Sequence, residues 1–227
     1  MHLGIIMDGN RRYAKQLGIT QVLGYEKGVK KVEQLLEWSP ELGIKELTLY
    51  TFSMENFNRP MEEKSYLMDM FRKKFTQLAS DTRLAEHQIR IRAIGRTSLF
   101  PADIQDKIKE VEQNTKHHKG FTVNFAMAYG GRTEIIDMVR AVSAQVKNGS
   151  VAINDIDEDL VENHLYMNTE PDIIIRTGGA MRTSNFLPWQ SAYSEWCFHE
   201  KKWPELSKED IAEVIDDFRK RERRFGK

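Results

Sequence analysis

The sequence predicts an α/β domain whose central sheet is mostly parallel and covered by helices on both faces. Three features predict it: six short apolar runs along 227 residues, amphipathic stretches of helical period between them, and polar or glycine-rich insertions directly after four of the runs. Strand signals that alternate with helix signals are the pattern of crossover connections in a parallel sheet. Ligands of such sheets bind beyond the carboxyl ends of the strands, which is where the insertions fall.

The first run is Leu3 to Met7. The others are Glu46 to Phe52, Ile89 to Ile94, Thr122 to Tyr129, Asp172 to Arg176 and Glu195 to Phe198, short and mostly rich in Ile, Val, Leu or aromatics. Between the first two, Val29, Val32, Leu35 and Leu36 share one helix face. Tyr66, Met70 and Phe71 begin the next helix, and Ile104, Ile108 and Val111 mark a third. Thr133 to Val146, Asp157 to His164 and Lys208 to Arg221 complete the set, the last with Ile211, Ile215 and Phe218 on one side. The polar turn Lys147-Asn148-Gly149-Ser150 is too short for a domain boundary, so residues 1–227 are expected to form one domain.

Composition removes several function classes. With 34 basic and 34 acidic residues the chain has no net charge, so it lacks the general field of a nucleic-acid or anionic-membrane binder, and any anion binding falls to local arginine clusters. Cys197 is the single cysteine and can form no internal disulfide, and neither a signal peptide nor a long apolar segment is visible. A cytoplasmic, reduced protein is expected. A lipid substrate remains compatible with an apolar cleft.

The most informative stretch is Met7-Asp8-Gly9-Asn10-Arg11-Arg12-Tyr13. Asp8 offers a hard oxygen ligand for Mg²⁺, Gly9 lets backbone N–H groups approach closely, and Arg11 and Arg12 can fork onto phosphate oxygens. After the second run, Phe52-Ser53-Met54-Glu55-Asn56-Phe57-Asn58-Arg59-Pro60 sets hydroxyl and amide groups beside a cation, with aromatics able to wall a pocket; the same segment reads equally well as a capped loop. Gly130-Gly131-Arg132 follows the fourth run. After the fifth, Arg176-Thr177-Gly178-Gly179-Ala180-Met181-Arg182-Thr183-Ser184 spaces two arginines around paired glycines and ends in hydroxyls, which suits a diphosphate held by charge-assisted bonds of about 1.5–3 kcal/mol each. Trp189 reads as core, and Glu195 as either a surface acid or a second metal carboxylate. Four such insertions on one sheet edge indicate a phosphate-handling site.

These segments, with Tyr129-Gly130-Gly131-Arg132, Asp172-Ile173-Ile174-Ile175-Arg176-Thr177-Gly178-Gly179 and Arg223-Arg224-Phe225-Gly226, stand in the order and approximate spacing of the cis-prenyltransferases, and the chain resembles that family over essentially its whole length. The resemblance implies the undecaprenyl diphosphate synthase-like fold and a Mg²⁺-dependent transferase that condenses isopentenyl diphosphate with an allylic prenyl diphosphate. It implies that Asp8 and Asn56 are catalytic, Asp8 as Mg²⁺ ligand and Asn56 at the position assigned to proton removal. A neutral amide is a poor base, so Asn56 is read as orienting a proton relay. The implied substrate set is Gly9, Asn10, Arg11, Arg12, Tyr13 and Tyr25, then Phe52, Ser53, Met54, Glu55, Phe57 and Arg59, then Arg176, Arg182, Thr183 and Ser184. Glu195 matches the second metal-linked acid. A homodimer through the C-terminal segment and transient membrane contact during release of a lipid product are implied as well.

Leu49, Thr51, Phe75, Phe121, Phe125 and Met127 are candidates to line a channel for the growing tail, each buried methylene being worth about 0.8 kcal/mol, and each equally reads as core. The chain departs from the family pattern at Gln21 and Tyr25, where many relatives carry Arg and His, and at Ala180, where the family segment has Glu; Arg11 stands where many bacterial members have Gly. Three of these changes fall on the allylic side, which leaves irregular prenyl coupling, or transfer to another acceptor, as the alternative reaction. A non-catalytic partner subunit is the alternative of another kind, but such partners typically lose the acid and cationic cradle that Asp8, Arg12, Arg59, Arg176 and Arg182 supply here. The all-helical trans-type synthases use aspartate-rich motifs, and Asp216-Asp217 lacks the second acid of that pattern.

Overall fold

A computed structural model describes residues 1–221. Arg223, Arg224, Phe225 and Gly226, on which the expected C-terminal contact rests, lie outside the described residues. The sheet has six strands, β1 (His2–Ile6), β2 (Glu46–Ser53), β3 (Ile89–Ile94), β4 (Phe121–Tyr129), β5 (Ile173–Arg176) and β6 (Glu195–Phe198), in the order β3-β4-β2-β1-β5-β6. Every pairing is parallel. The expected strands all form, with ends shifted by at most one residue.

The helices are α1 (Asn10–Gln16), α2 (Gln21–Trp38), α3 (Met61–Ala79), the single turn α4 (Arg83–Glu86), α5 (Ala102–Thr115), α6 (Gly131–Lys147), α7 (Glu158–His164) and α8 (Lys208–Lys220). Strand alternation sorts the core. Leu3, Ile5, Leu47, Leu49, Ile173 and Ile175 face α2, α3, α5 and α8, while Ile6 and Ile174 face Tyr129, Phe186 and Leu187 on the other side. Met138 and Val142 of α6 pack with Leu165 and Trp189, so Trp189 is a packing residue as expected.

Helix α1 follows β1 directly, in a segment where the sequence analysis places no helix. Its seven residues bury Ala14 alone, so no helical period shows. It is held by packing on α2, where Gly24 admits its backbone at Asn10 and Gly28 admits the Asn10 side chain. Trp203 locks this corner: its indole N–H donates to the Gly28 carbonyl (2.8 Å), and its backbone N–H donates to the Asp8 carbonyl (3.0 Å). The side chain is 1% exposed. Trp203→Ala is expected to cost about 3–5 kcal/mol, read as a lower urea midpoint at unchanged slope.

Candidate active site

Chain order turns back between β1 and β5. β2, β3 and β4 lie on one side of β1, and β5 and β6 on the other, so the crevice at the carboxyl ends of β1 and β5 is the switch point where such sheets take ligands. Ile6 and Arg176 end their strands there, level with Tyr50 of β2. Asp8 and Arg176 meet in this crevice, with Arg176 Nη2 2.9 Å from one carboxylate oxygen of Asp8 and Arg12 Nη2 3.1 Å from the other. The Asp8 backbone is fixed as well, its carbonyl accepting from Thr177 Oγ1 at 2.7 Å. Burial alone would raise the Asp8 carboxyl, but the Arg176 hydrogen bond and the Arg12 and Arg176 charges hold it below the ordinary aspartate value. The group is therefore an anion at neutral pH.

Arg176 is 4% exposed, and its Nη1 also donates to the Arg182 carbonyl and to Ser184 Oγ, both at 2.6 Å. Arg12 Nη1 donates to the Gly178 carbonyl at 2.6 Å. Gly178 has φ +83°, and a Cβ there would stand 2.5 Å from Arg12 Nη2, so only glycine lets Arg12 pass to Asp8.

On the opposite rim, Arg59 donates to the Tyr25 hydroxyl (3.0 Å), and that hydroxyl donates to Glu63 (2.5 Å). Glu63 also pairs with Arg59 at 3.1 Å and, more loosely, with Arg11 at 3.9 Å. Burial and the Glu63 carboxylate push the Tyr25 hydroxyl up, so it remains a neutral donor. Sequence reasoning missed Glu63. It stands with Glu62 in the first turn of α3, where acids are ordinary, although its position four residues after Arg59 is the spacing of a helical ion pair.

The side-chain oxygen of Asn56 accepts the Ser53 backbone N–H at 3.1 Å, which leaves its amide NH₂ to face the cavity. That group donates and cannot take a proton, in keeping with the reading of Asn56 as an orienting residue.

Other expected residues lie elsewhere. Phe52 is buried among Phe57, Phe71 and Phe100 in an aromatic cluster, so neither Phe52 nor Phe57 walls the cavity. Met54, Arg11, Arg12, Tyr13 and Thr183 also stand outside its lining, as does Gln21, an exposed residue at the start of α2; Arg12 meets it only through the ion pair with Asp8. Gly9 is buried at the cap of α1, and Glu55, Asn10, Tyr25 and Ser53 reach the lining. Glu195 is not brought to Asp8: it opens β6 at the opposite end of the sheet, level with Ile173, and pairs with Arg221 at 3.0 Å. Among the described residues no group of three or more His, Cys, Asp or Glu side chains is placed to hold an ion.

From this rim a cavity of about 700 Å³ runs between α2 and α3, walled by Val29, Val32 and Leu36 on one side and Leu67, Met70, Phe71, Phe75 and Leu78 on the other. Thr51, Phe75 and Phe125 line it as expected, whereas Leu49, Phe121 and Met127 are core. Glu33 and Lys74, 2.9 Å apart, clasp the two helices across it.

A cationic rim built around the Asp8 and Glu63 carboxylates, opening into an apolar channel on the same cavity, defines a class of enzyme that handles molecules with a diphosphate head and a hydrocarbon tail. The chain belongs to the cis-prenyltransferase family: residues 6–226 match the family described as "Putative undecaprenyl diphosphate synthase". It is 46% identical over 230 residues to the tritrans,polycis-undecaprenyl-diphosphate synthase (geranylgeranyl-diphosphate specific) of Methanocaldococcus jannaschii, covering 100% of this chain and 82% of that protein. It is 43% identical over 232 residues to the isoprenyl transferase of Thermus thermophilus, covering 100% and 88%. Its fold matches the crystal structure of lavandulyl diphosphate synthase from Lavandula x intermedia in complex with dimethylallyl diphosphate with a TM-score of 0.94, at 34% identity and 100% and 98% coverage.

Because the Asp8 carboxyl titrates lower in the folded chain than in the unfolded one, the stability it contributes is present above about pH 4 and is lost as pH falls through its folded value. Asp8→Asn should therefore lower the unfolding free energy by about 1–3 kcal/mol at pH 7, through an uncompensated Arg176. The difference from wild type should shrink steadily below about pH 4, as read by denaturant melts across pH.

Proposed function

We propose that this chain condenses isopentenyl diphosphate with an allylic prenyl diphosphate to give a cis-polyprenyl diphosphate. The observation that carries the reading is the pairing, on one cavity, of two arginine groups with a single apolar channel. Arg59 lines the channel entrance with Asn10 and Tyr25 and would hold the allylic diphosphate, its tail running between α2 and α3, with Arg12, which lies outside that lining and is tied to Asp8 and Gly178, adding its charge. Arg176, Arg182 and Ser184 would hold the diphosphate of the second substrate, which needs no channel for a five-carbon chain.

In this reaction the allylic C1–oxygen bond breaks and its electron pair leaves with the diphosphate. The isopentenyl double bond attacks C1, and loss of a proton leaves the new double bond. Negative charge grows on the leaving oxygens, so fixed guanidinium groups at the rim stabilise the transition state more than the ground state. Asn56, whose oxygen is engaged by the Ser53 N–H and whose NH₂ group can only donate, orients a diphosphate oxygen or a water to take the proton.

The donor set fits Mg²⁺. One ionised carboxylate facing a diphosphate cradle is the usual protein share of such a site, the remaining ligands being phosphate oxygens and water. Asp8 would hold the ion, which when bound neutralises charge on the leaving diphosphate. Glu195, at the other end of β6, would need another route to join it.

The names of the archaeal relatives make geranylgeranyl diphosphate the first allylic substrate to try. We also infer a homodimer through the C-terminal region, with the half-exposed edge strand β6 as one part of the contact. The reaction is assigned to the cytoplasm, with transient membrane contact as the lipid product leaves. No helix among the described residues is long and apolar enough to cross a membrane.

Purified protein given Mg²⁺, labelled isopentenyl diphosphate and allylic diphosphates of several lengths is expected to incorporate label with at least one of them. Product from dimethylallyl diphosphate alone, with no isopentenyl incorporation, would establish irregular coupling instead, and no product at all would favour the partner-subunit reading. Asp8→Ala should lower kcat about a hundredfold or more, and excess chelator should abolish turnover.

A further inference from the structure

We infer that Asn185 is a positioning residue for the isopentenyl diphosphate half of the site, clasping the Arg182–Ser184 loop onto the start of α6. This inference rests on the reaction proposed above. The loop is held where it should be unstable. Ser184, Asn185 and Leu187 have φ of +49°, +62° and +48°, a region costly for a non-glycine residue and least so for Asn. Something must hold them there.

Asn185 supplies the hold with both of its oxygens. Its backbone carbonyl accepts the Gly131 N–H at 2.8 Å, and its side-chain oxygen accepts the Arg132 N–H at 2.9 Å. These are amides of the first turn of α6, which have no partner within the helix. The seat is shaped to match: a Cβ on Gly131 would overlap Pro188 Cδ, so the loop can lie flush on α6 only because that residue is glycine. The Gly130-Gly131-Arg132 motif is thereby explained as a dock for this loop.

Ser184, next to the clasp, is tied in turn to the Tyr50 hydroxyl through its carbonyl (3.3 Å) and to Arg176 through its Oγ. Freed from α6, the segment would lose the backbone angle that sends the Ser184 hydroxyl and the Arg182 carbonyl to Arg176. The loss should fall on holding a diphosphate, which is the same in ground and transition states, and so on KM more than on kcat.

Asn185→Gly keeps the positive φ and removes the side-chain acceptor. Gly131→Ala leaves Asn185 intact and lifts Pro188 from its seat. Each should raise KM for isopentenyl diphosphate about tenfold, the size of one lost hydrogen bond, while KM for the allylic substrate and kcat stay within about threefold. Calorimetry with isopentenyl diphosphate alone should show the same tenfold loss of affinity. Wild-type affinity in the folded Asn185→Gly protein would overturn the inference, as would equal rises in both KM values. Wild-type protein that binds isopentenyl diphosphate without condensing it would fault the proposed reaction and leave this binding comparison intact.

Discussion

The ion pair between Asp8 and Arg176 is the contact on which the rest of the site depends. It joins the ends of two adjacent strands on either side of the point where chain order reverses, so it can form only once β1 and β5 are in register. Arg176 is too buried to be left without a counter-charge, and Asp8 is too surrounded by cations to be protonated near neutral pH. Each makes the other's ionised state tolerable. From that pair the site spreads through Arg12 to the Gly178 turn, and through the second guanidinium nitrogen to Arg182 and Ser184.

Much of this was legible in the sequence because the strands are short and those at the switch point, β1 and β5, are buried on both faces. A strand such as Ile173–Arg176 leaves no polar residue until its last position, and the polar residue that ends it is the functional one. What failed to show were features that depend on distant chain segments. Helix α1 has too few buried positions to print a period. Glu63 looks like an ordinary helix-start acid until Tyr25 and Arg59 are seen around it. Phe52 and Phe57 sit in a segment rich in site residues, yet period-two alternation turns Phe52 into the core while Ser53 faces the cavity. Glu195 is the mirror case. Its motif neighbourhood suggested the site, but as the first residue of a parallel strand it lies at the amino end, away from the ligand edge.

The channel has a different physical origin from the rim. Helices α2 and α3 both start near the rim and run away from it, and the side chains between them meet across a gap through a few long reaches, Tyr25 stacked near Tyr66 and Lys74 paired with Glu33. An apolar space bounded by two helices and the sheet is costly when empty and favourable to a hydrocarbon occupant. The tail site thus follows from incomplete packing of the α2–α3 seam, whereas the head site follows from strand register.

Charge balance links the stability of the rim to what it binds. The whole chain is neutral, yet the rim arranges two arginines around each carboxylate: Arg12 and Arg176 around Asp8, Arg59 and Arg11 around Glu63. One carboxylate cannot neutralise two guanidinium groups, so each cluster retains one positive charge while every buried charge still has a partner. That arrangement keeps the unliganded protein stable, because Arg176 in particular is never left alone in a low-dielectric crevice. It also leaves both halves of the rim cationic. A neutral pairing of one acid per arginine would be stable and inert, and arginines without acids would repel one another at the strand ends. Two cations to one anion is the stoichiometry that satisfies both folding and diphosphate binding, and a neutral overall composition conceals it.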